Sequence, residues 1–292
     1  MKDQIKIFIS ESWADYELLD TGGGEKLERL GKYTFVRPYE DAVWDKTLGA
    51  DKWRPDARFI TSREGSKAGW RFANKIPEGF VLERTGIKWK ASPTPFRHFG
   101  FFPEQASHWD FIESKIKNAG RPIKFLNLFG YTGIASLYAL RAGAEVTHVD
   151  ASRQSLTWAK ENQKLNPRLV EGMRIIAEDA LKFLERESKR GNRYDAIIMD
   201  PPKFGRGPKG EIWKLEEKLP KLLAEARNVL SDQPLFLILN SYAVNSSSLS
   251  LGYALEEAMK ARGGKTEAGE LCLKESSTGR AIPIANAAIW SA

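Results

Sequence analysis

The 292-residue chain has one cysteine, Cys272, and three histidines, His98, His108 and His148. A lone cysteine excludes an internal disulfide and any multi-cysteine zinc or iron-sulfur centre, and three scattered histidines offer no metal cluster, so no metal is expected. Nowhere do 18 apolar residues run together, and the opening MKDQIKIFISESWADYELLD lacks the long apolar core and small-residue cleavage site of a secretory signal. These absences point to a soluble, cytoplasmic protein with no membrane partner. The chain is long enough to bury a core that needs no cross-link. Internal repeats and low-complexity tracts are also missing.

What is present divides the chain in two. Residues 1–97 hold five of the nine tryptophans, Trp13, Trp44, Trp53, Trp70 and Trp89, among short β-type runs broken by Gly and Pro. Candidate strands are Ile5–Ile9, Tyr16–Leu19, Tyr33–Val36, Trp70–Phe72 and Phe80–Arg84. The segment reads as a small β-rich N-terminal domain with a possible role in RNA or substrate recognition. Its tryptophans are expected to fill a core short of aliphatics rather than to form a surface for stacking bases.

Residues 98–292 alternate strands and helices, and the strands are continuous apolar runs of the kind buried on both faces of a parallel sheet. The runs Ile123–Leu128, Val146–Val149, Arg174–Ala177, Ala196–Met199 and Leu235–Leu239 are five such strands. Helices are expected over Gly133–Arg141, from a Ser152 cap to Leu165, over Leu181–Lys189, over Ile212–Leu230 with a break at Pro220, and over Leu249–Arg262. Two β runs, Glu270–Lys274 and Ile282–Trp290, then follow with only a turn between them. The fold class is therefore α/β: a Rossmann-like, doubly wound, seven-stranded sheet with an antiparallel C-terminal edge strand, beside the β-rich N-terminal domain.

In such a sheet ligands lie beyond the carboxyl ends of the strands. The first of these turns, Asn127-Leu128-Phe129-Gly130-Tyr131-Thr132-Gly133, has two glycines that let the backbone approach a ligand and a helix start at once, aiming its N–H groups at an anionic group. It is neither a dinucleotide G-x-G-x-x-G nor a P-loop. The second strand ends in Asp150-Ala151-Ser152, where a carboxylate can accept both hydroxyls of a ribose. The third ends in Glu178-Asp179-Ala180, where a carboxylate can meet an exocyclic amine, and the fourth in Asp200-Pro201-Pro202-Lys203-Phe204. Each acidic residue taken singly could be only a helix cap; four such turns together describe a nucleoside site.

NLFGYTG, HVDAS, EDA and DPPKFGRGPKGE resemble the motifs of class I S-adenosylmethionine-dependent methyltransferases, in particular the large-subunit (23S) rRNA methyltransferases acting on cytosine C5 or guanine N7. DYELLDTGGGEKLERLGKYTFVRP and FGFFPEQASHW are similar to segments upstream of the catalytic sheet in that family, so the resemblance covers most of the chain. It implies S-adenosyl-L-methionine as cofactor and RNA as partner. By this likeness Phe102, Pro103, Glu104 and Gln105 close over the cofactor, Asn127, Phe129, Gly130, Thr132 and Gly133 hold its methionine end, Asp150, Ala151 and Ser152 the ribose, and Asp179 with Ala180 the adenine.

The donor of such an enzyme is already electrophilic, so the protein has chiefly to align the accepting atom and exclude water. The turn Asp200-Pro201-Pro202 presents carbonyls that can accept from an amine, Phe204 can stack a flipped base, and Lys203, Arg206 and Lys209 can meet phosphate. Methylating cytosine C5 requires a cysteine thiolate. This chain departs from that pattern, reading Leu239-Asn240-Ser241-Tyr242 after the fifth strand, while Cys272 lies in an apolar run. Transfer to nitrogen or oxygen is then at least as compatible, with Asn240 and Tyr242 as substrate-facing candidates. The net charge of +7 suits a polyanion, although acidic residues are interspersed throughout. The alternatives are a methyltransferase of small molecules or proteins, and a non-catalytic RNA-binding assembly factor that keeps the cofactor site.

Overall fold

The computed structural model describes residues 4–62, 67–169, 171–206, 212–242 and 247–292. The chain begins with β1 (Lys6–Ser10), β2 (Tyr16–Gly22), β3 (Glu25–Leu30), β4 (Tyr33–Pro38), β5 (Ala57–Ile60), β6 (Gly69–Phe72), β7 (Phe80–Arg84) and β8 (Ile87–Ala91). Then come a 3-10 turn at Pro103–Gln105, α1 (Ala106–Lys117), β9 (Lys124–Leu128), α2 (Ile134–Arg141), β10 (Glu145–Asp150), α3 (Arg153–Lys164), β11 (Met173–Ala177), α4 (Ala180–Lys189) and β12 (Ala196–Met199). A short hairpin of β13 (Phe204–Arg206) and β14 (Ile212–Lys214) leads to α5 (Leu215–Asn228), β15 (Phe236–Ser241), α6 (Ser248–Met259), β16 (Lys265–Lys274) and β17 (Ala281–Ser291).

These elements form two compact units. One contains the chain up to Phe8, Ser107–Leu271 and Ile284–Ala292; the other contains Ile9–Ala106 and Cys272–Pro283. A single cut after residue 97 therefore differs from the observed division, in which the chain exchanges two segments. The exchanges have physical causes. The β1 strand joins the large sheet beside β16, and the turn after β16 pairs with β2, where Ser276 and Ser277 donate backbone N–H groups to the carbonyls of Leu18 and Leu19.

The larger unit is built on an eight-stranded sheet in the order β1-β16-β17-β15-β12-β9-β10-β11. Strands β11, β10, β9, β12 and β15 run parallel, and β17 runs antiparallel to β15. The α/β class and the antiparallel C-terminal strands are as the sequence implies. The strand count rises from seven to eight because Lys6–Ser10 supplies the edge that the C-terminal strands were expected to form. The chain winds outward from β9 to β11 and then returns to β12, so the order reverses between β9 and β12. That crevice is where an open α/β sheet takes ligands. The parallel strands supply much of the core: Leu126, Leu128, Val149, Ile197, Met199, Leu237 and Leu239 belong to one buried cluster with Phe183 and Leu222 from the helices. Fully burying one such side chain contributes about 1.5–3 kcal/mol.

Helix starts follow local chemistry. Ser152 caps α3 by accepting from Ser155 N at 3.2 Å, and Asp179 caps α4 by accepting from Lys182 N at 3.0 Å. The expected break at Pro220 does not occur. Residues 212–214 pair as a strand with β13, and α5 runs through Pro220. Pro220 forgoes one hydrogen bond, to the Glu216 carbonyl, on an exposed stretch where water can serve that carbonyl instead.

In the smaller unit β2-β3-β4-β5-β6 form a five-stranded sheet and β7-β8 a hairpin. Trp53 and Trp89 are buried and Trp13, Trp44 and Trp70 half-buried, so the tryptophans serve the core. Strands β3, β5 and β8 escape the sequence reading: β5 and β8 are short, and in β3 charged residues interrupt the alternation, as in Glu25-Lys26-Leu27-Glu28-Arg29-Leu30. One interruption is a buried ion cluster. Glu28 receives Arg37 Nε at 2.6 Å, Arg37 Nη2 at 2.7 Å and Tyr16 OH at 2.9 Å. Burial alone would raise the Glu28 pKa, but the charges of Arg37 and Lys26 outweigh it and hold the carboxyl down at about 2.

Candidate active site at the carboxyl edge of the parallel strands

Register brings the acidic turns together. Leu128 of β9 stands opposite Val149 of β10 and Met199 of β12, and Asp150 opposite Ala177 of β11. The residues that follow are tied by backbone hydrogen bonds: Gly130 N to the Val149 carbonyl at 3.0 Å, Glu178 N to Asp150 at 3.1 Å and Asp200 N to Leu128 at 3.3 Å. Gly130, Asp150, Asp179 and Asp200 thus share one rim, at the point of strand-order reversal.

The turn after β9 is the most constrained backbone in the larger unit. Phe129 and Tyr131 take the left-handed conformation at φ 56° and 52°, and Gly133, the N-cap of α2, sits at φ 83°. Two non-glycine residues in this region within three positions cost energy that the surroundings must offset. The offset is visible. Tyr131 N donates to Asp150 Oδ2 at 2.9 Å, and the Phe129 ring packs edge-on against Trp213 at 5.1 Å. Beneath the turn, Asn127 Nδ2 donates to Ser136 Oγ at 3.0 Å, and Ser136 Oγ meets His148 Nδ1 at 3.0 Å. Gly130 lies directly over the His148 ring, so that an added Cβ would overlap its Cε1 and Nδ1 atoms. The expected use of Gly130, close approach to a ligand, is joined by a second: it makes room for a histidine. Burial holds that histidine neutral, with its pKa lowered to about 4.

Asp150 is suited to a diol. Oδ1 accepts from Ser152 N at 2.7 Å and Oδ2 from Tyr131 N at 2.9 Å, which leaves each oxygen with further lone-pair capacity. Burial raises its pKa while the two backbone bonds act in the opposite direction. The same burial, with the Asp150 charge, raises Tyr131 to about 12. Asp179 caps α4 through Oδ1, so the plain structural role that a single acidic residue can have is met here, at the same rim. Thr132, Ala180 and Asn127 are buried and Ala151 half-buried. An adenosyl group fits this donor and acceptor set: a bidentate carboxylate at the end of β10, a helix N-terminus at α2 for a carboxylate, and a capped acidic turn after β11.

In the fourth turn the Pro202 carbonyl accepts Trp213 Nε1 at 2.6 Å. The expectation that both prolines present carbonyls to a substrate is corrected to that extent, since an indole in the following hairpin already holds one of them. Lys203 Nζ lies 5.8 Å from the Phe204 ring, and that ring is 63 % exposed at the start of β13. The backbone of Arg206 lies in β13; Lys209 lies outside the described residues.

Two expectations change. Asn240 faces the interior instead of a substrate: it is fully buried, and its Oδ1 meets His108 Nε2 at 2.9 Å. Tyr242 is half-buried against the apolar cluster of Leu271, Ala285 and Ala287. Both lie at the carboxyl end of β15, which register sets level with the Asp200 turn, but their side chains pack inward. Phe102, Pro103, Glu104 and Gln105 belong to the smaller unit, where the last three form the 3-10 turn and are buried. Cys272 is buried at 1 % exposure. Tyr131, Ser136, His148 and Trp213 were not anticipated as site residues. His148 precedes the diagnostic Asp150 by only two positions, but nothing in the sequence says that it lies under Gly130. Among the described residues no group of His, Cys, Asp or Glu could hold a metal, and no helix is long and apolar enough to cross a membrane.

A reversed parallel sheet with a constrained glycine turn, a carboxylate at the end of β10 and an acidic Pro-Pro turn on one rim is the arrangement of a class I methyltransferase. The chain belongs to the S-adenosylmethionine-dependent methyltransferase family, whose profile matches residues 96–258, and S-adenosylmethionine is its cofactor. A SAM-dependent methyltransferase of known structure from Agrobacterium tumefaciens is 41 % identical, with a TM-score of 0.93 over 98 % of this chain and 93 % of its own. Ribosomal RNA large subunit methyltransferase K of Neisseria meningitidis is 27 % identical over 77 % of this chain, and methyltransferase I of Aeromonas salmonicida 35 % identical over 50 %. The chain spans 66 % of the former's length and 36 % of the latter's.

Proposed function

We propose that this enzyme methylates a base of RNA, ribosomal RNA above all, at a nitrogen. The observation that carries the reading is the Asp200-Pro201-Pro202-Lys203-Phe204 turn at the strand-order reversal, with an exposed aromatic ring beside a cation. The names of the Neisseria and Aeromonas relatives support the substrate class. When bound, S-adenosylmethionine supplies an electrophilic methyl group. Asp150, with Ala151 and Ser152, holds the ribose; Asp179 and Ala180 face the adenine; Asn127, Phe129, Gly130, Thr132 and Gly133 cradle the methionine end.

The Asp200 carboxylate and the Pro201 carbonyl accept hydrogen bonds from the base amine and aim its lone pair at the methyl group. Phe204 stacks the extruded base, and Lys203, Arg206 and Lys209 meet the flanking phosphates. Nitrogen is favoured over cytosine C5 because the carboxyl end of β15 carries the buried Asn240 and no cysteine, and the chain's one cysteine, Cys272, is a buried thiol. The test is incubation with methyl-labelled cofactor and total RNA from cells lacking the gene, followed by mass spectrometry of nucleosides. An N-methylated nucleoside is expected. Label entering only protein or metabolites would overturn the substrate class, and RNA binding without turnover, unchanged in Asp200→Ala, would select a non-catalytic factor.

A further inference from the structure

Residues 52–98 carry eleven Lys and Arg against four Asp and Glu, an excess of seven, equal to the net charge of the whole chain. In this stretch the smaller unit also exposes apolar rings. Phe72, at the end of β6, is 54 % exposed and Phe96, in the loop after β8, 78 %. The two elements are tied by Trp70, whose Nε1 donates to the Thr94 carbonyl at 2.8 Å and whose ring lies 6.4 Å from that of Phe72. An open groove of about 630 Å³ runs between the Phe72–Glu78 segment and Ser92–Pro93. Lys75 and Glu78 line it, while Arg71, next to Phe72 in the chain, and Phe96, two residues past Thr94, are exposed outside the lining.

A groove lined by Phe72, Ile76, Pro77 and Lys75, in a stretch of chain rich in cations, matches one ligand chemistry. Bases stack on the rings without sequence preference while cations track the phosphates. An acidic peptide would use the charge but not the rings. We propose that this groove binds a single-stranded segment of the RNA substrate, with bases stacked on Phe72 and Phe96 and phosphates on Arg71 and Lys75. The proposal rests on the RNA reading above and assigns to the smaller unit a recognition surface distinct from the transfer site.

The test uses the full chain and a fluorescein-labelled single-stranded RNA of twelve nucleotides, followed by anisotropy between 50 and 200 mM KCl. Phe72→Ala and Phe96→Ala should each weaken binding by roughly 10-fold, in line with the loss of one base stack. The pair Arg71→Ala and Lys75→Ala should lower the slope of log affinity against log salt by about 1.4, two single-strand phosphate contacts. Glu78→Gln should tighten binding. All these side chains are exposed, so thermal midpoints and S-adenosylhomocysteine affinity should stay at wild-type values, which separates lost recognition from misfolding. Wild-type RNA affinity in all the variants would overturn the groove while leaving RNA methylation standing. Preference for a labelled poly-glutamate peptide over RNA would overturn it in favour of a protein partner. Absence of label transfer to any RNA in the assay above would instead refute the underlying reading.

Discussion

Replacing Gly130 by alanine isolates one steric relationship at the cofactor turn. Gly130 is not among the glycines with positive φ, so alanine can take its backbone conformation without strain. The obstacle is the space beneath it. The new Cβ would lie 3.1 Å from Asn127 Cγ and inside the contact distance of two atoms of the His148 ring. That ring is fully buried and tied to Ser136, which is tied to Asn127, so it cannot swing aside without breaking the chain of bonds. Overpacking of this kind costs about 1–3 kcal/mol. Relief by lifting the Phe129–Tyr131 turn would spoil the cofactor cradle, so S-adenosylhomocysteine should bind roughly 10- to 100-fold more weakly by calorimetry.

The same reasoning predicts a partial rescue. His148→Ala alone should destabilise the protein, because it opens a cavity and strips Ser136 of a partner, but in that background the Cβ at position 130 has room. The double variant should therefore lose less than the sum of the two single losses, by at least about 1 kcal/mol in a double-mutant cycle of binding and stability. Wild-type affinity in Gly130→Ala, or an undiminished penalty in the His148→Ala background, would refute the argument.

Further outcomes follow from the same site and from the buried charges. Asp150→Ala, which removes a two-oxygen acceptor for a diol, should weaken S-adenosylhomocysteine by about 10- to 100-fold, whereas Asp200→Ala should lower kcat with cofactor affinity nearly unchanged; calorimetry and single-turnover labelling separate the two. Because burial raises the Asp150 pKa, cofactor affinity should begin to fall, as pH is lowered, earlier than an ordinary aspartate would make it, as protonation removes the acceptor. His98, His108 and His148 have pKa values lowered by burial to about 3, 4 and 4. The unfolded chain therefore takes up protons first as pH drops below about 6.5, and stability should decline from there toward pH 4 by up to about 1.4 kcal/mol per pH unit for each histidine. Urea unfolding at a series of pH values measures this, and His108→Gln should reduce the slope. Arg37→Met should lower stability by about 3–5 kcal/mol, because it leaves Glu28 buried without its main partner; Arg37→Met combined with Glu28→Met should recover most of that loss.

The large sheet was legible because its strands are mainly apolar runs, and β10, β11 and β12 each end in or lead into an acidic residue that only the ends of parallel strands bring together. Asp150, Asp179 and Asp200 are 50 residues apart from first to last in the chain, yet the register of β9 with β10 and β12 sets them on one rim. What escaped the sequence reading is tertiary. The eighth strand comes from a segment that reads as part of the small domain, because a lone run such as Lys6–Ser10 cannot say which sheet edge it will pair with. Strand β3 was hidden by the charges at Lys26 and Glu28, which are buried as a cluster in which Arg37, Tyr16 and Lys26 all meet Glu28. Asn240 looked like a rim residue from its place after an apolar run and proved to be the buried partner of a histidine that lies 132 positions away. The charge of the chain seemed evenly mixed, and its concentration over residues 52–98 acquires meaning beside the exposed rings of Phe72 and Phe96.

The most direct test of the account is a crystal structure with S-adenosylhomocysteine bound. The account predicts ribose hydroxyls within hydrogen-bonding distance of both Asp150 oxygens, the adenine beside Asp179 and the amino-acid end over the N-terminus of α2. A ligand seated away from this rim, or a ribose that makes no contact with Asp150, would contradict it.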